Sequence, residues 1–314
     1  MKNIFQTILI FLFALLSACN SSIDIDKNGN PKVLKIGMST PSTSGEDASM
    51  VFRNMEPLRL YLEKKLDVPV QFIAVSGYAP IVEALKAKKI HVATMAPYPY
   101  LIARKTANVK ALFTTGNAQG LQVPYKSCLI FNKSLGIKNI DSLKANVHKL
   151  TIAFGDPSST SGHVIPIIYL RENGIDPEKD FKKTVFAPDQ LSAVLSVSSG
   201  KLDVACVMPQ LLNSIYMMNK NISMNNFDII EISKPIPQSP HCIRKDINPQ
   251  FAEKVMNAYL ELRQTDSAAF YCVLNMYKKY IVFNPDSFRY IAADEKWYDQ
   301  YEIMIKDIKG LSIE

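Results

Sequence analysis

The alternation of strand-like and helix-like segments after residue 33 restricts the fold of this chain more than any other feature. Leu34 to Met38, Val70 to Val75 and His91 to Met95 are short, largely apolar runs of the kind that forms buried strands. Between the first two runs, apolar residues at positions 55, 58, 62 and 66 have helical spacing. A regular sequence of strand and helix predicts an α/β fold, in which helices cover both faces of a mainly parallel sheet.

A second group of strand-like segments predicts a second lobe. These segments are Tyr125 to Phe131, Leu150 to Phe154, Thr184 to Phe186, Leu202 to Met208 and Asp228 to Ile232. The roughly 280 residues after position 32 suffice for two lobes of ordinary domain size. We expect one lobe to comprise residues 33–124 and 236–314, and the other to comprise residues 125–235. Two segments, near Tyr125 and Lys234, would then cross between the lobes as a hinge.

The segment FGDPSSTSGH, residues 154–163, joins a predicted strand to a predicted helix. Pro166 lacks an amide hydrogen and therefore fits best within the first turn of that helix, which places the helix start near Gly162. The amides of roughly Thr160 to His163 would then have no partner within the helix. Free amides, several hydroxyl groups and the positive end of the helix dipole together suit a tetrahedral oxyanion.

A simple helix cap is the alternative for this segment, with Ser159 or Ser161 bound only to the backbone. A phosphate-binding P-loop is excluded because Gly155 and Gly162 have the wrong spacing and His163 stands where a lysine is needed. No G-x-S-x-G nucleophile motif occurs here. Because the cluster directly follows a strand and opens a helix, at the edge where α/β sheets usually bind ligands, we favour the anion site.

The first 18 residues have the pattern of an export signal. Lys2 precedes an apolar run from Ile8 to Leu16 that is too short to form a lasting membrane-spanning helix. The following Leu16-Ser17-Ala18-Cys19 resembles a bacterial lipobox, in which Cys19 becomes the lipid-modified first residue of the mature protein. A plain secretory signal with a chance cysteine is the alternative. Residues 19–32 are polar and lack an apolar period, which predicts a tether.

Charge and cysteine content exclude several classes of function. Without Lys2 the chain carries 35 Lys and Arg against 29 Asp and Glu, a net charge of +6. No basic cluster interleaved with aromatic residues indicates nucleic-acid binding. Metal-ligand spacing is also missing, and we expect neither a metal nor a cofactor. The four cysteines other than Cys19 favour buried free thiols over a disulfide framework, although the sequence leaves pairing open: Cys128, Cys206, Cys242 and Cys272.

Five segments in a fixed order give the chain a resemblance to a known family. FGDPSSTSGHVIP, together with EPLRLYLEKKL, YAPIVEALKAKKIHVATMAPYPYLIA, SGKLDVACV and PIPQSPHCIRKDI, is similar to the phosphate, phosphite and phosphonate substrate-binding proteins of ABC transporters. The resemblance runs from about Leu34 to Asn248. It implies the two-lobed type II periplasmic-binding-protein fold, with two crossover strands as a hinge. It also implies that the oxyanion is held by Ser159, Thr160, Ser161 and Gly162, and that Tyr100 is the cleft tyrosine.

Two departures from the family pattern bear on the ligand. Gln190 replaces a histidine that is common at that helix start, so it can donate a hydrogen bond but cannot add charge. Pro209 and Gln210 stand where a binder of aminoalkylphosphonates would need a carboxylate, and Asp203 precedes the strand and is expected at the far end of the sheet. With the rings of Tyr78, Tyr98 and Tyr100, these residues suit a compact phosphorus oxyanion without an ammonium group. The alternative is that Asp156 or Asp189 enters the cleft and pairs with an ammonium.

Three classes of function fit an exported chain of this kind. The resemblance favours a monomeric binding lipoprotein in the periplasm or at the cell surface, anchored to the membrane through Cys19, that captures a small phosphorus oxyanion and delivers it to an ABC transporter permease. A ligand-binding component of a sensory system is the alternative. An exported hydrolase is disfavoured because no metal cluster, carboxylate pair or nucleophile with a base can be assembled from the motifs, and we expect no catalytic residue.

Overall fold

Two separate β-sheets organise the chain. The structure, a computed structural model, describes residues 24–40, 53–218, 222–278 and 285–306. The predicted signal peptide and Cys19 lie outside these residues. In chain order the strands are β1 (Leu34–Thr40), β2 (Val70–Ser76), β3 (Val92–Thr94), β4 (Val109–Gly116), β5 (Cys128–Asn132), β6 (Thr151–Phe154), β7 (Lys183–Phe186), β8 (Val204–Val207), β9 (Phe227–Glu231), β10 (His241–Arg244) and β11 (Arg289–Ala292).

The strand order assigns one sheet to each lobe. The first sheet has the order β11-β4-β10-β3-β1-β2 and the second has the order β7-β6-β8-β5-β9. The helices that connect and cover them are α1 (Glu56–Leu66), α2 (Tyr78–Lys86), α3 (Pro97–Thr106), α4 (Ile140–Asn146), α5 (Ile165–Glu172), α6 (Gln190–Ser198), α7 (Pro209–Met218), α8 (Pro249–Thr265), α9 (Ser267–Lys278) and α10 (Glu295–Lys306). The predicted two-lobed α/β fold is confirmed.

Both sheets are mixed, whereas the sequence predicted mainly parallel sheets. β1 pairs in parallel with β2 and β3, and β6 pairs in parallel with β7 and β8. β10 is antiparallel to both β3 and β4, and β5 is antiparallel to both β8 and β9. β5 and β10 are the first strands after each crossing. Each therefore starts at the end of its sheet that faces the other lobe, and it runs antiparallel to its neighbours.

The two crossing segments pair with each other between the lobes. Tyr125 and Ile236 exchange backbone hydrogen bonds of 2.9 and 2.8 Å, in an isolated antiparallel bridge. Two further contacts extend the pairing, from the Ile232 amide to the Ser127 carbonyl (3.0 Å) and from the Ser127 amide to the Ser233 hydroxyl (2.9 Å). The two connections therefore form one narrow ribbon, and the predicted boundaries at residues 124/125 and 235/236 fall within it.

Helices cover both faces of each sheet because buried residues alternate in direction along the strands. In β3, Val92 packs with α1, α8 and α9, whereas the next residue, Ala93, packs with α2 and α3. In β6, Ile152 packs with α5, whereas Ala153 packs with α6 and α7. The core that contains Ala93 and Ile152 is shared by the two lobes and continues through Tyr125. Among the described residues, no helix has the length and apolarity needed to cross a membrane.

The expectation that residues 19–32 form a free tether is corrected for residues 24–32. A carboxylate oxygen of Asp24 lies 2.7 Å from the buried guanidinium of Arg244 and 3.0 Å from Nε2 of His91. Gly29 and Asn28 accept hydrogen bonds from the backbone and side chain of Asn248 (2.8 and 2.9 Å). Polar composition suggested a solvated segment, but these polar groups find partners on the first lobe, which the sequence could not show.

The remaining cysteines agree with the sequence analysis. Cys128, Cys206 and Cys242 lie on strands, Cys272 lies on α9, and all four are buried free thiols. Burial raises the pKa of the Cys128 thiol to about 12, so this group behaves as a small apolar side chain.

Candidate anion-binding site

The predicted strand-to-helix loop is present, and Ser159 caps the helix. The Ser159 hydroxyl accepts a hydrogen bond from the Gly162 amide at 3.1 Å. The Ser159 carbonyl accepts hydrogen bonds from the amides of His163 and Val164 at 3.1 and 2.9 Å. Residues 160–164 form a wide π-type first turn that continues into α5. The cap interpretation is therefore correct for Ser159. Fewer amides are free than the predicted range of Thr160 to His163, because those of Gly162 and His163 donate to Ser159. Among the described residues, the amides of Thr160 and Ser161 have no partner.

Gly162 keeps this turn tight. Its carbonyl accepts a hydrogen bond from the Gly155 amide at 2.8 Å, which closes the loop on itself. A Cβ atom at position 162 would lie 2.9 Å from the Ser159 hydroxyl oxygen and 3.4 Å from the Gly155 Cα. The space beside Gly162 is thus filled by the loop, so glycine is required here for packing of the cap.

The hydroxyl groups of Thr160 and Ser161 are enclosed. Thr160 is fully buried and Ser161 is 3% exposed. The Tyr98 amide of the first lobe donates to the Thr160 hydroxyl at 2.9 Å, and the Ser127 hydroxyl donates to the Ser161 carbonyl at 2.7 Å. A helix start with two free amides therefore lies at the contact between the lobes, out of reach of bulk water.

Gln190 is oriented toward the loop. Its side-chain oxygen accepts from the Met208 amide at 2.9 Å, which turns its amino group toward the Ser161 hydroxyl at 3.4 Å. The aspartate before it, Asp189, caps α6 by accepting from the Ser192 amide at 2.7 Å. Gln190 therefore presents a neutral donor, and the Asp189 carboxylate is engaged by its own helix.

Tyr78 and Tyr98 lie on the first lobe, at the starts of α2 and α3. The Tyr78 amide lies 3.4 Å from a carboxylate oxygen of Asp156, a residue of the opposing loop. The other Asp156 oxygen accepts from the Ser158 amide at 2.7 Å. Burial, and to a smaller extent the Asp156 charge, raises the pKa of Tyr78 to about 12. Burial also raises the pKa of Tyr98. Both phenols therefore remain neutral hydrogen-bond donors at physiological pH.

Two tyrosines that sequence reasoning did not propose reach the same loop. Tyr125 lies in the crossover ribbon, and burial raises the pKa of its phenol while the neighbouring hydroxyls of Thr160 and Ser161 oppose that shift. Tyr301 lies on α10, is 3% exposed, and has the Thr160 hydroxyl as a neighbour. The position of Tyr125 on the hinge was a usable signal. Nothing in the sequence links Tyr301 to a loop 140 residues away.

Neither Tyr100 nor Gln210 forms a hydrogen bond with the loop among the described residues. The Tyr100 hydroxyl donates to the Glu295 carboxylate at 2.6 Å and accepts from the Ala111 amide at 2.9 Å. Gln210 is exposed at the start of α7. Asp203 accepts from the Thr151 amide at the first residue of β6, which is the far end of the sheet as expected (2.7 Å). Tyr100 is thus a core residue of the first lobe in this structure.

The side chains that approach Thr160 and Ser161 are uncharged. Tyr125, Ser127, Gln190 and Tyr301 approach Thr160 and Ser161, and each can donate a hydrogen bond without carrying a charge. Within the described residues there is no group of three His, Cys, Asp or Glu side chains that could hold a metal ion. The arrangement can bind a compact anion through oriented amide and hydroxyl dipoles.

Comparison with known proteins places these features in a family. A family model described as "ABC transporter, phosphonate, periplasmic substrate-binding protein" matches residues 42–286. The "Phosphonates-binding periplasmic protein" of Escherichia coli is 29% identical over 204 residues, which are 65% of this chain and 60% of that protein. The "Probable ABC transporter phosphite binding protein PhnD1" of Prochlorococcus marinus is 23% identical over 288 residues, 87% of this chain and 89% of that protein.

A solved structure supports the fold. PhnD1 of Prochlorococcus marinus, determined in complex with methylphosphonate, superposes with a TM-score of 0.66 at 22% identity, covering 88% of this chain and 98% of that one. The family match spans most of the chain, including the whole second sheet, four of the six strands of the first sheet and the loop at residues 154–163. The chain belongs to the family of periplasmic substrate-binding proteins of phosphonate ABC transporters.

Proposed function

We propose that this protein captures a small phosphorus oxyanion between its two lobes and delivers it to the permease of an ABC transporter. The observation that carries the proposal is the helix start at Thr160 and Ser161, where two amides without partners and two buried hydroxyls lie at the contact between the lobes. Helix N-termini of this kind bind phosphate-like groups through free N–H donors and the helix dipole. The names of the relatives, which refer to phosphonate and phosphite, agree with this ligand class.

The neutral surroundings favour a ligand without an ammonium group, such as methylphosphonate, phosphite or phosphate. Gln190 and the tyrosine hydroxyls can donate to an oxyanion but cannot pair with a buried cation. An ammonium left unpaired in such a site would cost several kcal/mol. Asp156 is a carboxylate of the same loop, and both of its oxygens face backbone amides, at Ser158 and Tyr78.

Titration calorimetry on the purified protein tests the ligand class. Phosphate, phosphite, methylphosphonate, 2-aminoethylphosphonate and sulfate are titrated at one pH and one salt concentration. We expect a phosphorus oxyanion without an ammonium group to bind most tightly. Tighter binding of 2-aminoethylphosphonate than of methylphosphonate would contradict this, and loss of that preference in Asp156→Asn would identify the responsible carboxylate.

We also propose that the protein is a monomer anchored to the membrane through a lipid on Cys19. The lipobox-like sequence Leu16 to Cys19 supports the anchor. Cys19→Ala should move the protein from the membrane fraction to the soluble exported fraction. Retention of the variant in membranes after a carbonate wash would contradict the anchor. Size-exclusion chromatography with light scattering tests the monomer.

A further inference from the structure

The phenol of Tyr301 is a buried polar group that packing alone does not explain. The residue is 3% exposed, and its hydroxyl oxygen is buried without a hydrogen bond to any part of the chain that the structure describes. A buried hydroxyl without a partner is unfavourable because it has lost its hydrogen bonds to water and gained none in return. Phenylalanine would fill the same volume without that cost. An unsatisfied buried group in a native structure calls for an explanation, and a role in function is one such explanation.

The surroundings of Tyr301 indicate which partner this is. Burial raises the pKa of the phenol, and the Thr160 hydroxyl lies close enough to oppose the shift. The Tyr125 hydroxyl neighbours both Thr160 and Ser161. Burial raises the pKa of Tyr125, and the Tyr301 phenol raises it further. Tyr301 also packs in the core that the two lobes share, together with Tyr125 and with Val164 of the wide first turn. The Tyr301 hydroxyl therefore lies beside the helix start, on the side of the first lobe.

The rest of α10 fixes the helix in this orientation. One turn earlier, Tyr298 packs edge-on against Tyr100, with ring centroids 4.9 Å apart, and donates to the Gln238 carbonyl at 3.0 Å. Arg104 of α3 forms ion pairs with Glu295 (3.2 Å), Asp299 (2.6 Å) and Glu302 along the same helix. Because these contacts hold α10 against α3, Tyr301 is oriented toward Thr160 before any ligand arrives.

We propose that the Tyr301 hydroxyl donates a hydrogen bond to an oxygen of the bound oxyanion, so that the C-terminal helix forms part of the binding site. This inference rests on the proposed function. The Thr160 and Ser161 amides approach the anion from the second lobe, and the phenol approaches it from the first. A tetrahedral anion has oxygens in both directions, and an oxygen held by each lobe couples binding to the contact between lobes.

Tyr301→Phe tests the proposal because it removes the hydroxyl and keeps the ring. We expect its affinity for the tightest-binding phosphorus oxyanion to fall about tenfold or more, as for the loss of a hydrogen bond to a charged acceptor. Tyr298→Phe is the matched control on the same helix, and its affinity should stay within about twofold of the wild type. The ligand-free melting temperature of Tyr301→Phe should equal or exceed that of the wild type, whereas a structural hydrogen bond would make it lower.

The outcomes separate this inference from the proposed function. If the wild type binds and Ser161→Ala is weakened, while Tyr301→Phe binds as tightly as the wild type, Tyr301 does not contact the ligand. A lower melting temperature of ligand-free Tyr301→Phe with unchanged affinity would likewise overturn the proposal. If the wild type binds no phosphorus oxyanion, the proposed function itself fails, and this inference fails with it.

Discussion

Three neighbouring hydroxyl residues of the loop have different roles. Ser159 caps the helix through its side chain and its carbonyl, Thr160 accepts a hydrogen bond from the opposite lobe, and the Ser161 side chain faces the Gln190 amide. The two residues whose amides are free are also the most buried of the three. Effects of substitution should therefore differ between stability and ligand affinity from one position to the next.

Alanine substitutions should separate these roles. Thr160→Ala and Ser161→Ala remove a hydroxyl beside a charged oxygen, and we expect each to weaken ligand binding by roughly 1.5 to 3 kcal/mol, or about ten- to a hundredfold. Ser159→Ala should also lower the free energy of unfolding by about 0.5 to 2 kcal/mol because it removes the cap. Calorimetry and urea unfolding measure the two effects.

Ser158→Ala is the matched control for this series, because only the Ser158 amide, and not its hydroxyl, takes part in the loop contacts. Its affinity should not change. If all three alanine variants fold and bind with wild-type affinity, the ligand binds elsewhere.

His241 should make the protein less stable in mild acid. The ring is 7% exposed and stacks on Phe113 with centroids 4.3 Å apart, and burial lowers its pKa to about 3. The unfolded chain binds a proton on this histidine near pH 6.5, whereas the folded state does not. Stability is therefore lost as the pH falls below 6.5, by about 2 kcal/mol between pH 7 and pH 5.

His241→Phe should remove that share of the pH dependence, since phenylalanine can stack on Phe113 but does not titrate. Urea unfolding of wild type and variant at pH 7 and pH 5 measures the difference. His148→Gln, at an exposed position, should keep the full dependence. An equal loss of stability in wild type and His241→Phe would show that the ring is not buried as a neutral group.

At the scale of elements, the segment before β1 is part of the first lobe. Asp24 pairs with Arg244, which is 2% exposed and also binds Asp246 at 2.8 Å. Burial acts to raise the pKa of Asp24, but the hydrogen bond and the charge of Arg244 act in the other direction, and the pKa is lowered. The segment thus closes the end of the sheet to which β10 runs.

Asp24→Ala should lower the free energy of unfolding by about 1 to 3 kcal/mol, because it leaves part of a buried guanidinium unpaired. Ligand affinity should be unchanged, since Arg244 lies at the end of β10 that points away from the crossover. Urea unfolding measures the effect, with the exposed Lys27→Ala as a control in the same segment. Equal stability of the two variants would mean that residues 24–32 are attached only weakly.

At the scale of the whole molecule, the lobes are in direct contact. The Tyr98 amide meets the Thr160 hydroxyl at 2.9 Å, and the Tyr78 amide meets Asp156 at 3.4 Å. The crossover ribbon at Tyr125 and Ile236 is narrow, and narrow paired connections of this kind allow hinge motion. We interpret the arrangement as the closed state of an open–closed equilibrium, which ligand binding shifts toward closure.

Ligand binding should make the protein more compact, with a smaller radius of gyration in X-ray scattering at a saturating ligand concentration. Asp156→Ala removes a charged partner from the contact between lobes and should expand the ligand-free protein, while ligand should still close it. Superposable curves for the wild type and for this variant, with and without ligand, would contradict hinge closure.

Local sequence determined most elements and the helix start. The apolar periods placed the strands at Leu34 and Val70, and Pro166 fixed where the helix after β6 could begin, because both signals depend on a few neighbouring residues. The hydroxyl cluster at Ser159 to Ser161 was also local, so the loop could be identified before its surroundings were known.

Tertiary structure decided everything that depends on contacts between distant segments. In the tertiary structure β5 and β10 run antiparallel to their neighbours, and Asp24 pairs with Arg244. Tyr100 is buried in a core and donates to Glu295, and Tyr301 lies beside the loop. Each of these contacts joins residues more than 20 positions apart, and their chemistry is compatible with many pairings. Only the packing of two sheets and the return of the chain through the hinge select one of them, because burial and hydrogen bonding must be satisfied throughout the molecule at once.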